Sequence, residues 1–462
     1  MTSRSTALLP STERSLLHRL AVAQSEGRAP SVVAGVARDG EPVWTGARAS
    51  AGPVGAAPGP DTQYRIGSIT KTFTAVLVMR LRDEGLLDLG DPVERHLPGT
   101  GMGEVTIAQL LGHSAGLSAE TPPPWWERTP GTLRPGLADV LGGPSRPHPA
   151  GRRHHYSNPG YTVLGSLVEA VRGASWEEVL RSEILEPLSL ARTSAQPLAP
   201  YATGWAVHPW ADVLLPEPIE DLGLMAPAGQ LWSTVADLCR FAVFLAEGDK
   251  RVLSPASVRE MATPAAPAES GEWESTYGLG VQIVRRDGRT LVGHTGSLPG
   301  FLAGLWVSAA DGIAAVALAN ATSGPFPAAV AADLVGIVAT AEPRLPGPWQ
   351  PLPEVDQELL ALTGPWYWGT QSFALRLLAD RGLELQPLRG AGRGARFVVG
   401  EDGGWIGQEG YFAGEPLRVV HREDGSVRHL DLGSFIFTRE PYEPDAGVPG
   451  GVDSEGWRGV RG

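Results

Sequence analysis

Strand-forming runs at both ends of a helical region are the feature that most limits how this chain of 462 residues can fold. Residues 31–50 predict a hairpin, and two further pairs of β-rich runs follow from residue 277. Each pair meets at an Asp-Gly turn signal, at Asp39-Gly40, Asp287-Gly288 and Asp311-Gly312. The residues between these regions show helical periodicity. This order predicts one mixed α+β domain whose first and last strands share a sheet.

The composition changes after residue 342. A Pro-rich connector over 343–354 separates the first domain, 1–342, from a segment with a different residue pattern. Over 355–440, short β-rich runs alternate with Gly-containing turns, which predicts a small all-β barrel. The last residues, 441–462, are rich in Gly, Pro and acidic residues and are expected to be disordered.

Charge and composition exclude several classes of function. The net charge of −13 argues against a nucleic-acid binder, which would carry a basic surface. The chain lacks an apolar run of about 18 residues, so no membrane-spanning segment is expected. The N-terminus lacks the apolar core of a signal peptide, and we expect a cytoplasmic location. With Cys239 as its single cysteine, the chain can form neither an internal disulfide nor a cysteine-based zinc site, and no cofactor is predicted.

One lysine stands out in this arginine-rich chain. Lys71 is one of two lysines among 38 basic residues, and it follows Ser68 by three positions. Because helical periodicity begins here, Ser68 is predicted in the first turn of a helix, with Lys71 on the same face. An ammonium can lose its proton when it is buried, whereas a guanidinium stays charged. The pair therefore predicts a serine nucleophile activated by a neutral amine.

Two further motifs carry groups suited to hydrolytic chemistry. Tyr156-Ser157-Asn158, predicted in a loop before a helix, offers a phenol for proton transfer and an amide for substrate binding. His294-Thr295-Gly296-Ser297 closes a predicted strand, where the glycine allows substrate to approach the backbone. Taken alone, each motif is also compatible with ordinary turn chemistry, and Ser157-Asn158-Pro159-Gly160 is a strong turn signal by itself.

In this order and spacing, the three motifs resemble those of the penicillin-recognising serine hydrolases. This group includes class C β-lactamases, DD-carboxypeptidases and their esterase and aminopeptidase relatives. QLLGHSAGL at 109–117, PAGQLWSTVADLCRF at 227–241 and TYGLGV at 276–281 extend the resemblance over about residues 12–340. It implies an antiparallel sheet flanked by helices, with a helical lobe. The C-terminal segment resembles the lipocalin-like barrel of some peptidase relatives.

The resemblance also implies a role for each motif residue. Ser68 would be the acylated nucleophile, and Lys71 and Tyr156 would share the duties of general base and acid. Asn158 would bind the substrate amide. The backbone amides of Ser68 and Ser297 would form the oxyanion hole, with His294, Thr295 and Gly296 completing the substrate-binding strand. No metal takes part in this scheme.

His294 departs from the pattern, because the third motif of the family usually begins with a lysine that holds a substrate carboxylate. Histidine is mostly neutral at pH 7. We therefore expect a serine hydrolase acting on small-molecule esters, small amides or D-amino-acid peptides. A β-lactamase or DD-carboxypeptidase, or a silent binding or sensor relative, remains the alternative.

Two pairs of adjacent residues outside these motifs also carry groups found in binding sites. The adjacent histidines His154 and His155 are not expected to bind a metal, since no further ligands lie nearby in the sequence. Trp125 and Trp126 lie in a Pro-rich, irregular excursion over 119–153 and are candidates to line a substrate pocket.

Overall fold

The computed structural model of the chain describes residues 7–50, 58–129, 135–142, 146–266, 274–390, 392–400, 403–447, 449 and 451. These residues divide into two units, Met1–Arg344 and Leu345–Gly462. Of the segment expected to be disordered, 441–462, most residues lie outside the described part of the chain.

A seven-stranded antiparallel sheet forms the centre of the first unit, with strand order β2-β1-β11-β10-β9-β8-β7. Two sheets of two strands each, β3 with β6 and β4 with β5, lie outside it. The strands are β1 (Ser31–Arg38), β2 (Glu41–Ala49), β3 (Tyr64–Arg65), β4 (Trp205–Val207), β5 (Leu214–Pro216), β6 (Trp232–Ser233), β7 (Ser275–Tyr277), β8 (Gln282–Arg286), β9 (Arg289–Leu298), β10 (Phe301–Ser308) and β11 (Ile313–Ala319).

The first and last strands of this unit share the sheet, as the order of β-rich runs predicts. β1 pairs antiparallel with β11, with Val32 opposite Ala319. The three hairpins predicted at Asp-Gly turns are confirmed. The run from Tyr277 onward was expected to be one strand and is two, because Gly280 adopts a left-handed φ of 82° in a turn between β7 and β8.

Helices cover both faces of the sheet and build a separate lobe. α1 and α11 pack on one face, α9 packs on the other, and α2 and α6 belong to the lobe. None of the helices in the described residues has both the length and the apolar run that crossing a membrane requires. The helices are α1 (Pro10–Glu26), α2 (Thr70–Asp83), α3 (Val93–His96), α4 (Ile107–Leu111), α5 (Leu137–Leu141), α6 (Asn158–Arg172), α7 (Trp176–Leu180), α8 (Ala226–Gly229), α9 (Val235–Glu247), α10 (Pro255–Met261) and α11 (Pro327–Ala341).

Alternation along β1 explains why the sheet needs two helical layers. Val32 and Val36 contribute to the core under α1 and α11, whereas Val33 contributes to the larger core shared with α9 and the lobe. Successive side chains of a strand point to opposite faces, so a strand of small apolar residues can be buried on both. In the larger core, Phe73 of α2 stacks on Phe241 of α9, with ring centroids 3.7 Å apart.

The start of α6 differs from the sequence prediction and matters for the site. The sequence predicts Asn158 in a loop before the helix, but the helix begins at Asn158. Pro159 fits the first helical turn because it needs no amide donor there, and the Ser157 hydroxyl caps the helix by accepting from the Gly160 amide at 3.2 Å. Asn158 therefore lies on a helix, which fixes its backbone.

The second unit is an eight-stranded antiparallel meander, which confirms the all-β expectation. Backbone hydrogen bonds between Tyr367 and Thr438, at 2.8 and 2.9 Å, join the first strand to the end of the last and nearly close a barrel. Trp366, Phe397 and Phe437 lie in its core. The elements are α12 (Gln357–Leu362), β12 (Gly364–Trp368), β13 (Gln371–Leu377), β14 (Leu383–Pro387), β15 (Ala395–Val399), β16 (Trp405–Gly407), β17 (Pro416–His421), β18 (Val427–Leu432) and β19 (Phe435–Phe437).

Two helical glycines give a matched test of how tightly α6 packs in the lobe. A Cβ at Gly165 of α6 would lie 2.1 Å from Cγ of Pro227 on α8, whereas a Cβ at Gly336 of α11 would meet nothing within 4 Å. We expect Gly165→Ala to lower the free energy of unfolding by about 1–3 kcal/mol through overpacking. Gly336→Ala should raise it by up to about 1 kcal/mol through helix propensity. Calorimetric melting of both variants measures the difference, and equal stability would contradict the packing described here.

Candidate active site

Ser68 and Lys71 meet at the start of α2. Ser68 lies in a 3-10 turn, Gly67–Ile69, which runs directly into the helix. The Nζ atom of Lys71 lies 2.9 Å from Oγ of Ser68 and donates to the carbonyl oxygen of Ala228 at 2.7 Å. These two contacts hold the amine against the serine hydroxyl, in the arrangement that a nucleophile and its base require.

Burial shifts the protonation of Lys71 toward the neutral amine. The side chain has no exposed surface, and its Nζ lies 5.0 Å from the ring centroid of Tyr156 and 5.7 Å from that of Tyr161. Burial lowers the pKa of Lys71 to about 7, while the negative charges of Glu120 and Glu127 oppose this shift. A substantial fraction of the lysine is therefore neutral near pH 7.

Tyr156 reaches the same serine from the segment that precedes α6. A hydrogen bond to Ser68 lowers the pKa of the Tyr156 phenol, but burial has the larger effect and raises that pKa above its ordinary value. The phenol consequently stays protonated near neutral pH and is a donor in the resting site. Its ring packs against that of His113 at 4.2 Å, and His113 Nδ1 accepts from the Ser157 amide at 3.1 Å. These contacts fix the orientation of the tyrosine.

Two glycines bring β9 against the 3-10 turn that carries Ser68. A Cβ at Gly296 would lie 1.9 Å from the carbonyl oxygen of Ile66 and 3.2 Å from the amide nitrogen of Ser68. Gly67 has a left-handed φ of 52°, and a Cβ there would lie 2.6 Å from the amide nitrogen of Ser297. Side chains cannot be accommodated at such distances, so both positions require glycine. The backbone amides of Ser68 and Ser297 are thereby brought to one place.

His294 lies behind this contact, inside the protein. It is 1% exposed, its Nδ1 lies 2.5 Å from the Thr295 carbonyl oxygen, and its Nε2 lies 2.8 Å from the Tyr277 hydroxyl. Because a carbonyl only accepts, Nδ1 carries the proton and Nε2 accepts from the tyrosine. Burial, reinforced by the charge of Lys71, lowers the pKa of His294 to about 3. The ring is therefore neutral at physiological pH and presents no positive charge to a ligand.

A polar cleft of about 270 Å³ opens beside Ser68. The Nδ2 atom of Asn158 donates to Oε1 of Glu120 at 2.7 Å, and the Trp126 indole donates to Oε2 of the same carboxylate at 2.8 Å. Glu127 accepts from the Trp125 indole at 2.9 Å, and burial raises the pKa of its carboxyl. The cleft is lined by Ser68, Glu120, Trp126, Glu127, Tyr156, Asn158, Ala228, Gly229, Gln282, Thr295, Gly296, Ser297 and Leu298.

The structure thus brings most of the predicted site residues to one cleft and adds others that the motifs do not reveal. Glu120 and Glu127 belong to the irregular excursion, and Gln282 accepts from the Thr295 amide at 3.2 Å. The adjacent tryptophans were the one sequence signal for a pocket in this excursion. Trp126 lines the cleft, whereas Trp125 is 56% exposed and does not.

Two other motifs do not join the site. Residues 112–116 match the G-x-S-x-G pattern of α/β-hydrolase nucleophiles, but Ser114 is buried and follows α4, whereas that pattern requires a strand-to-helix turn. His154 and His155 belong to no group of three or more His, Cys, Asp or Glu side chains able to hold a metal within the described ranges.

Two family models match the chain. A model described as Beta-lactamase matches residues 15–340, and a model described as a domain of unknown function, DUF7586, matches residues 355–439. The first match contains all three motifs and the cleft. The second covers the barrel and leaves its role open.

Individual relatives agree with the first match. Beta-lactamase-like protein 2 of Dictyostelium discoideum is 27% identical over 267 residues, which cover 54% of this chain and 48% of that protein. Penicillin-binding protein 4 of Amycolatopsis lactamdurans is 29% identical over 286 residues, covering 56% of this chain and 72% of the relative. The chain thus spans about half the length of the first of these relatives.

Among solved structures, a D-stereospecific amidohydrolase from Streptomyces sp. superposes with a TM-score of 0.58 at 26% identity, covering 72% of this chain and 99% of that one. Sequence motifs, fold and family model all concern the same residues, and the family model alone matches more than half of the chain. The chain belongs to the Beta-lactamase family.

Proposed function

We propose that this protein is a serine hydrolase that forms an acyl-enzyme on Ser68 and acts on esters or small amides, including those of D-amino acids. The observation that carries the proposal is the wholly buried amine of Lys71, 2.9 Å from the Ser68 hydroxyl at the edge of a polar cleft. Burial supplies the neutral base that serine activation needs.

In the proposed acylation step, the neutral amine of Lys71 takes the proton of Ser68 as Oγ bonds to the substrate carbonyl carbon. The carbonyl oxygen becomes an oxyanion, and the backbone amides of Ser68 and Ser297 donate to it. Their convergence through Gly67 and Gly296 supports this assignment. Donors fixed in the backbone need no reorganisation as the charge develops.

Tyr156 is assigned the role of general acid. As the tetrahedral intermediate collapses, the bond to the leaving oxygen or nitrogen breaks, and that atom takes the phenol proton. The Lys71 ammonium then gives its proton to the Tyr156 phenolate, which restores the phenol and the neutral amine. The raised pKa of Tyr156 supports an acid role over a resting phenolate base. Water hydrolyses the acyl-enzyme by the same groups in reverse, releasing the acid and restoring the Ser68 hydroxyl.

The charge of the cleft supports esters and amides over substrates recognised through a carboxylate. His294 is neutral, and neither a lysine nor an arginine side chain is among the cleft residues that the structure describes. Glu120 and Glu127 would in addition repel a substrate carboxylate. The likeness to a D-stereospecific amidohydrolase supports D-amino-acid amides within this class.

The proposal is tested with a substrate panel of short-chain p-nitrophenyl esters, D-amino-acid amides and the β-lactam nitrocefin. We expect multiple turnovers of esters or amides, labelling by a fluorophosphonate probe, and loss of both in Ser68→Ala. Turnover that stops at one equivalent would indicate a silent relative. Nitrocefin turnover matching the esters would favour a β-lactamase, and a labelled Ser68→Ala protein would contradict the nucleophile assignment.

The two lysines of the chain provide a matched test of the base. Lys71→Arg should lower kcat/KM for an ester on the order of 10²–10⁴-fold, because a guanidinium stays protonated and cannot accept the serine proton. Lys250→Arg, at an exposed position, should leave kcat/KM unchanged. Thermal melting checks that both variants fold. Activity in a folded Lys71→Arg protein close to that of the parent would rule out Lys71 as the base.

The lowered pKa of Lys71 sets the pH dependence. The active form is the neutral amine, so kcat/KM for an uncharged ester should rise about tenfold per pH unit below about 7 and level off above it. Burial lowers the pKa values of His113 and His294, which removes both from this window. A pH-stat assay between pH 5 and 9 measures the profile. A rate that falls through neutral pH would contradict the assignment.

A further inference from the structure

We propose that the ion pair between Arg128 and Glu217 is a clamp that positions one wall of the cleft, the wall carrying Trp126 and Glu127, for the reaction at Ser68. Neither member of the pair lines the cleft, so both are positioning residues that act through the wall. This inference rests on the proposed serine hydrolase function and adds to it two residues that lie outside all three motifs.

Glu217 is fixed to the turn that joins β9 to β10. Its side chain is 2% exposed, and its Oε1 atom accepts from the Thr322 hydroxyl at 2.7 Å. The same hydroxyl accepts from the backbone amide of Gly300 at 2.8 Å, and a Cβ at Gly300 would lie 3.1 Å from that of Glu217. The buried carboxylate is thus attached to the turn that directly follows Leu298, a residue of the cleft lining.

Arg128 reaches this carboxylate from the irregular excursion. One terminal nitrogen of its guanidinium lies 2.8 Å from Oε1 and 2.7 Å from Oε2 of Glu217. The guanidinium also lies over the ring of Trp125, 4.9 Å from the centroid. Separation of the pair would leave a buried negative charge without its cation, which is strongly unfavourable. The pair therefore holds the chain at residue 128 in one place.

The cleft wall lies between two such anchors. At its beginning, the carbonyl oxygen of Ala119 accepts from the backbone amide of Asn158 at 2.9 Å, at the start of α6. At its end, Trp126, Glu127 and Arg128 share a single 3-10 turn. Because Arg128 directly follows the two residues that line the cleft, the position of the ion pair sets theirs.

The position of the wall matters chemically through the charge of Glu127, which acts on Lys71. Burial raises the pKa values of the neighbouring tyrosines and lowers those of the neighbouring histidines, so all four are neutral near pH 7. The charges left to act on Lys71 are those of two glutamates. A wall that moves away from Lys71 takes one of these charges with it and lowers the pKa of the lysine. The titratable groups that lie against Lys71 or interact with its charge are Glu120, Glu127, Tyr156, Tyr161, His113 and His294.

The test measures the rate constant of fluorophosphonate labelling of Ser68 between pH 5 and 9. Arg128→Gln and Glu217→Gln break the same ion pair, so both should move the midpoint of the profile to lower pH, by roughly 0.5 unit. A direct effect of the lost charges on Lys71 would instead move the two midpoints in opposite directions, since one variant removes a cation and the other an anion.

The variant with both changes removes the two charges together, so their direct effects on Lys71 nearly cancel. It should still show the shift of the single variants and no larger one, because one contact is lost in all three proteins. It also leaves no unpaired charge in the interior, which keeps the test decisive if a single variant does not fold. Thermal melting checks the folding of each protein.

Arg240→Gln is the matched control. Arg240 is 50% exposed and pairs at 2.8 Å with the buried carboxylate of Asp237, outside the cleft lining. Its loss should destabilise the protein as that of Arg128 does, but leave the labelling midpoint unchanged. Arg128→Lys, which keeps a cation beside Glu217, should restore most of the parent midpoint.

The outcomes separate the clamp from the hydrolase. A double variant with the midpoint of the parent, or single variants with shifts of opposite sign, overturns the clamp and leaves the labelled serine standing. An equal shift in Arg240→Gln also overturns it, because loss of stability would then explain the result. Absence of Ser68 labelling in the parent at every pH rejects the proposed function, and the role of the clamp with it.

Discussion

The contact between β9 and the 3-10 turn Gly67–Ile69 is the constraint on which the rest of the site depends. It joins the sheet to the helical lobe at backbone distance, where a Cβ at Gly296 would lie 1.9 Å from the Ile66 carbonyl oxygen. The β8 ladder ends at Gly293, while β10 continues to pair with β9 as far as Leu298. The released edge of β9 can therefore lie against Gly67 instead of another strand, and the two candidate oxyanion donors meet there.

Lys71 depends in turn on the packing of the lobe. A buried amine is unfavourable unless its hydrogens are satisfied, and the carbonyl oxygen of Ala228 on α8 supplies an acceptor. α8 approaches α6 closely because Gly165 leaves room for Pro227. The short helix that supports Lys71 is thus positioned by the helix that carries Asn158, which couples the buried lysine to another wall of the cleft.

The sequence predicted the parts of this structure that local patterns encode. Ser68 and Lys71 share a helical face whatever surrounds them, and the Asp-Gly turns fix their hairpins through backbone conformation. The start of α6 was missed because the first turn after a proline resembles a loop in sequence. Glu120 and Glu127 could not be assigned, because their segment has no periodicity and its path is set by long-range contacts such as the Arg128–Glu217 ion pair at 2.7 Å. The lowered pKa of His294 could not be predicted either, because it depends on burial that only the structure shows.

The carboxylates of Glu120 and Glu127 act on Lys71 through space. Both raise its pKa against the effect of burial, so their field favours the protonated amine. Replacement of either carboxylate by a neutral side chain would weaken that field, so Lys71 would hold its proton less tightly. The effect is reciprocal, because the charge of Lys71 lowers the pKa of Glu127. The pH at which the buried amine becomes neutral is therefore set partly by an irregular segment that lies outside all three motifs.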